Sequence, residues 1–299
     1  MRVRAMLIGS VLCAATGGNA SAQSVGNMVV SDVGNALRDI LGSWEAPFHA
    51  RGRDWLQAGA LVAGSAIFAP IDDNVDRWIV AHQNDGAWSV LDPVRQGGAL
   101  YSGKYLAPAV GGVYLVGLVT KSQSLRDGVW GCLASYTSGS VVRNTLLYNV
   151  IARTRPDSSK SHPNGYVAPP AKQGDQYDIN IHLGSSDWGR HSFPGGHVAN
   201  IASCAGFLAN RFEMGYAEPV VYIVTAGVGI GRIVDRRHWT SDTIIGAIFG
   251  YAIGKEIATR SLHRKERAAG STGSRDGLME GLYMAPGRDG LQLGWQRTF

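Results

Sequence analysis

The sequence predicts an all-α fold, a compact helical bundle that ends in a short hairpin-like tail. Three observations carry this reading. Between Asp54 and Thr259, apolar residues recur at three- and four-residue spacing, the period of one helix face. The polar breaks between these runs are short, with one exception. No polar/apolar alternation of any length occurs before the tail.

The elements follow in order. A short amphipathic piece is expected near Val33–Leu41, then helices over Asp54–Ala69, Asn74–Ala81, Trp88–Gln96, Lys104–Thr120 and Leu125–Ala152. Residues 157–191 are a polar insert whose Pro/Gly/Ser/Asn clusters form loops, and a loop of this length in a compact domain is usually functional or mobile. Helices resume at Gly196–Phe212, Glu218–Ile230 and Trp239–Thr259. One helical domain therefore spans 23–260, and 261–299 is a flexible tail. Two short strands around Gly287–Gly290 are expected in it, with Leu291, Leu293 and Trp295 on one face.

The first residues predict export. Arg2 and Arg4 give a basic start, Ala5–Thr16 is mostly apolar, and Ala20-Ser21-Ala22 is a small-x-small cleavage pattern, so 1–22 reads as a signal peptide. Losing two arginines and no acid takes the net charge from +5 to +3. That balance suits anionic substrates and is too weak to argue for nucleic acid. Cys132 and Cys204 remain; the expectation is two buried thiols, with pairing the alternative open to an exported chain. The interior apolar runs Trp55–Ile71 and Tyr105–Thr120 fall short of the roughly 20 residues of a membrane span. A periplasmic protein, soluble or membrane-associated, is expected, with an integral membrane protein as the alternative.

Three segments carry the chemistry. The first is Asn149-Val-Ile-Ala-Arg-Thr-Arg-Pro156, where the proline ends a helix and leaves Arg155 at its C-terminus beside the insert. The second is Ser192-Phe-Pro-Gly-Gly-His197, a glycine turn before a helix whose free N–H groups and dipole favour an anion. The third is Gly231-Arg-Ile-Val-Asp-Arg-Arg-His-Trp-Thr-Ser-Asp242. There His238 and Asp242 stand four residues apart, so a helix starting near His238 would let the carboxylate fix the tautomer of the ring.

In this order the segments resemble the type 2 phosphatidic acid phosphatase (PAP2) superfamily, with class A acid phosphatases and vanadium haloperoxidases. Its pattern is Lys-x6-Arg-Pro, Pro-Ser-Gly-His and Ser-Arg-x5-His-x3-Asp, and the likeness spans roughly residues 100–260. The resemblance implies that Arg155, Arg232 and the Gly196 N–H bind the phosphoryl oxygens, with Gly195 and Tyr148 as further phosphate-binding positions. His238 is the implied nucleophile, Asp242 its orienting partner and His197 the general acid. It implies no metal and no cofactor. Three positions depart: Tyr148 stands at the lysine, Gly195 at the second-motif serine and Gly231 at the third-motif serine. Arg153, Arg236, Arg237, Lys160 and Lys172 are candidate substitute cations.

The implied function is an exported phosphatase acting on phosphomonoesters through a phosphohistidine. Its partner is a phosphorylated lipid such as phosphatidate or a small phosphate ester, with membrane-surface contact. A vanadate-dependent haloperoxidase and a weakened phosphate-binding envelope protein are the alternatives. The leaving group would be read by the insert and by the helices around Tyr101–Tyr105.

Overall fold

In the computed structural model, the residues described are 24–82, 86–91, 106–157, 174–181, 190–272, 282–287 and 290–295. The signal peptide, Lys160, Lys172 and Tyr101–Tyr105 lie outside them. The chain divides into two units, Met1–Ser261 and Leu262–Phe299.

Eight helices dominate the described residues: α1 Val25–His49, α2 Gly52–Ala66, α3 Asp72–His82, α4 Leu106–Val119, α5 Gln123–Val142, α6 Gly196–Arg211, α7 Glu218–Val234 and α8 Thr240–Thr272. The all-α reading holds, and α1 is much longer than the amphipathic piece expected there. Its N-cap is Ser24, whose hydroxyl accepts from Asn27 N, and Ser122 caps α5 in the same way through Leu125 N. Of the helix expected over Trp88–Gln96, residues 92–96 lie outside the described residues, and the described part belongs to a short 3₁₀ segment, Gly86–Leu91.

The helix expected over Leu125–Ala152 does not run through. It passes at Arg143 into a π-helical turn, Arg143–Leu147, and ends at Val150. Strand β1, Ile151–Arg153, follows and pairs antiparallel with β2, Ile179–Ile181, from within the insert. A strand of three residues has too few positions to show an alternation. Arg155 thus sits just beyond a strand, not at a helix C-terminus.

The core is held by close backbone approach and buried polar pairs. A Cβ on Gly131 would overlap the Phe207 ring, so α5 and α6 meet at contact distance there. One residue on, Cys132 and Cys204 form a disulfide (S–S 1.97 Å) between the same helices, in place of the expected free thiols. Asp32 of α1 accepts from Tyr114 of α4 at 2.9 Å and pairs with Arg126 of α5 at 3.3 Å. Gly246, Gly250 and Gly254 line the face of α8 against α6, where an added Cβ would meet the carbonyls of Gly195, Ala199 and Ser203 at 2.0–2.4 Å. This glycine face brings α8 close enough to fix its N-terminus beside that of α6.

Apolar side chains stand exposed on α2, α4 and α7, among them Leu56, Val119 and Ile223. The stretch Gly215–Val234, which is α7 and its preceding turn, is long and apolar enough to cross a membrane by length and composition. In the second unit, β3 Leu282–Gly287 pairs antiparallel with β4 Gly290–Trp295 in the register Gly287↔Gly290.

Candidate active site

The three sequence segments meet at the N-terminal ends of α6 and α8. The Phe193–Pro194 peptide is cis and Gly195 is the N-cap of α6, leaving the N–H groups from Gly196 to Val198 without intrahelical acceptors. The Gly195 N–H itself donates to Asp242 O at 2.8 Å, which ties the turn to α8. A Cβ at Gly195 would lie 3.0 Å from that carbonyl oxygen and 3.1 Å from Thr243 Cα. The close approach of α8 thus gives a steric reason for glycine at the family's serine position.

His197 lies in the first turn of α6, as expected. It faces His238 with ring centroids 6.4 Å apart. Burial, and then the charges of Arg232, Arg237, Arg155 and Arg143, lower the His197 pKa to about 3. His238 is wholly buried, and desolvation followed by Arg155 holds it well below the usual histidine value, with His197 and Arg232 adding to the effect. Both rings are therefore neutral near pH 7. The same two arginines act on both histidines, so Arg155, Arg232, His197 and His238 share one small volume.

The expected bond between Asp242 and His238 is not made. His238 precedes the first helical residue, Thr240, so the four-residue helical neighbour relation does not apply. Its Nδ1 instead donates to Ser192 O at 2.7 Å. A carbonyl can only accept, so Nδ1 carries the proton and Nε2 keeps a lone pair. Asp242 acts one step back: Oδ2 accepts from Ser192 Oγ at 2.5 Å, and Oδ1 accepts from Arg153 Nη1 at 2.6 Å. Ser192 therefore links the carboxylate to the ring, its hydroxyl on one and its carbonyl on the other.

Sequence reasoning missed the base beneath this layer. Asp72, at the start of α3, accepts from Arg153 Nη2 at 2.7 Å, Ser241 Oγ at 2.5 Å and the Ser241 N–H at 2.9 Å. Asp76, one turn on, grips Arg236 bidentately at 2.8 and 2.9 Å. Arg236 also donates to Pro156 O at 3.1 Å, and Trp239 Nε1 donates to Thr154 O at 2.7 Å. Arg153 and Arg236, two of the candidate substitute cations, are thereby committed to carboxylates. An acidic pair at i, i+4 near a helix start was the only available signal, and it looks the same as a solvated helix end.

Tyr148 is also placed differently from its expected phosphate-side role. Its hydroxyl donates its single proton to Pro194 O at 3.2 Å, and its ring stacks on His191 at 4.7 Å. The phenol holds the cis-proline turn. Burial raises its pKa, so it stays protonated.

Residues 128–266 match the family model of the PAP2 superfamily. The match takes in somewhat under half of the chain, 139 of its 299 residues. A 69-residue stretch is 38% identical to the lipid A 1-phosphatase of Porphyromonas gingivalis, covering 22% of this chain and 15% of that protein. The match thus takes in only a small part of that relative's length. A solved structure, the transmembrane PAP2-type phosphatidylglycerolphosphate phosphatase of Bacillus subtilis, aligns over 79% of this chain and 96% of its own. Its TM-score is 0.38 at 17% identity, too loose a superposition to bear on the site. The residues matched to the family model include Arg155, His197, Arg232, His238 and Asp242 together.

Proposed function

We propose that the chain is an exported phosphatase that hydrolyses phosphomonoesters through a phosphohistidine at His238. The observation that carries this is the pair of facing neutral histidines in the field of Arg155 and Arg232, at the anion-favouring start of α6. Nε2 of His238 attacks phosphorus, the P–N bond forms, and the P–O bond to the leaving group breaks. The leaving oxygen takes a proton from His197. That ring is neutral in the free protein, and a phosphate dianion among the arginines offsets the charge that lowers its pKa, so it gains its proton as substrate binds. Water then gives a proton to His197 and attacks phosphorus, the P–N bond breaks, and phosphate leaves. Arg155, Arg232 and the Gly196 N–H stabilise the equatorial oxygens throughout.

The apolar surfaces of α2, α4 and α7 support membrane association and hence a lipid phosphate as substrate. The Cys132–Cys204 disulfide supports an oxidising compartment.

The test is hydrolysis of p-nitrophenyl phosphate and of short-chain phosphatidate in detergent micelles, wild type against His238→Ala. Turnover of phosphatidate by wild type and none by the variant is expected. Equal activity in both rules out the phosphohistidine route. Vanadate binding without hydrolysis marks a phosphate-binding protein, and bromide oxidation with vanadate and peroxide a haloperoxidase.

A further inference from the structure

We infer that Arg143 is a further phosphate-binding residue, taking the place of the missing lysine from one wide helical turn upstream; this rests on the phosphatase reading. The family's lysine position is Tyr148, whose hydroxyl proton is committed to Pro194 O. Arg143 precedes it by five residues. In an α-helix that spacing would point the two side chains in different directions, but the segment between them is π-helical. The Tyr148 N–H bonds to Arg143 O, an i to i+5 closure, so both residues lie on one face. The guanidinium stands 5.7 Å from the Tyr148 ring centroid.

The position of Arg143 fits an anion site. A Cβ on Gly196 would lie 3.2 Å from its Nε and 3.3 Å from its Cζ, so the guanidinium packs on the first residue of α6, where the free N–H groups begin. Nη1 is held by Gly196 O at 3.1 Å and by Asn200 Oδ1 at 2.6 Å, and Nε by Asn144 Oδ1 at 3.2 Å. Every acceptor here is neutral. Among the described residues Arg143 makes no ion pair, although it is buried to 6% exposure, and Nη2 has no protein partner. A buried guanidinium without a counter-ion is costly unless an anion joins it. Its charge acts on His197, so it lies within range of the reacting group. Arg260, paired with Glu256 further along α8, is the control for a change of net charge.

The experiment compares Arg143→Gln, Arg143→Lys and Arg260→Gln with wild type, reading kcat and KM on p-nitrophenyl phosphate and inhibition by orthovanadate. Gln retains amide donors for Gly196 O and Asn200 but removes the charge. Loss of a transition-state donor predicts a fall in kcat/KM of about 100-fold, mostly in kcat, and weaker vanadate inhibition. Lys restores an ammonium, so it should recover at least about 10-fold of that loss, while Arg260→Gln changes kcat by less than about 3-fold. Arg143→Gln within about 3-fold of wild type on both readouts overturns the inference alone. A Lys variant as impaired as the Gln variant, or one that fails to fold, also overturns it, because the role is then structural. Wild type that neither hydrolyses the ester nor responds to vanadate overturns the phosphatase reading, and this inference with it.

Discussion

The arginines of the site fall into two groups that face different neighbours. Arg153 and Arg236 are buried against carboxylates, Asp72 and Asp242 for the first and Asp76 for the second. Arg155 and Arg232 press their charge on two buried histidines, although Arg232 also pairs with Asp235 at 3.2 Å. One residue type in the same short motifs thus does two jobs. The first group is a frame that locks the strand after α5, the start of α3 and the start of α8 together. The second supplies the positive field in which phosphate would sit. The difference teaches that a cation's role follows from what it faces, and α3 delivers both acids of the frame that come from outside the motifs.

The largest effect should come from breaking the frame. Arg153→Ala leaves Asp72 and Asp242 buried without their cation, which predicts a loss of about 3–5 kcal/mol in chemical denaturation. Arg155→Ala, from the other group, is expected to cost less stability than Arg153→Ala and about 100- to 1000-fold in kcat. If the two substitutions had the same profile, the division into frame and field would be lost.

Ser192→Ala tests the link between them. It removes the hydroxyl on Asp242 and keeps the carbonyl on His238, so about 1–3 kcal/mol of stability is expected to go, with a partial loss of kcat. Gly195→Ser restores the family's residue where a Cβ has 3.0 Å to Asp242 O. A cost of about 1–3 kcal/mol and no gain in rate is expected, read by thermal melting and ester hydrolysis.

A further effect is a pH dependence. An unfolded histidine binds its proton near pH 6.5, whereas folded His197 does so at about 3. Between these values the unfolded state holds more protons. The contribution is therefore fully present above pH 6.5 and is lost as pH falls toward 3. Melting temperature in phosphate-free buffer should fall less steeply over that window in His197→Asn than in wild type.

Much of this was legible in the sequence, because it was written in local order. Helical periodicity gave the bundle, Pro194-Gly-Gly gave the start of α6, and the order of the motifs, through the family they resemble, pointed to Arg155, His197, Arg232 and His238 as a candidate site. What was not legible depends on contacts far apart in the chain. Asp72 reaches Arg153 across 81 positions and Asp76 reaches Arg236 across 160, with no periodic trace. The His238–Asp242 spacing misled because the helix begins two residues late. The π-helical turn that brings Arg143 beside Tyr148 leaves no compositional mark. Export and the flexible character assigned to 261–299 remain expectations of the sequence.

The central claim is that His238 carries the phosphoryl group. Its most direct test is rapid acid-free denaturation of the full chain during turnover of a ³²P-labelled phosphate ester, followed by mapping of the labelled peptide. The account predicts alkali-stable, acid-labile label on His238, absent in His238→Ala and accumulating in His197→Asn, where hydrolysis of the intermediate is slowed. Steady turnover with no labelled protein, or label on any other residue, would contradict it.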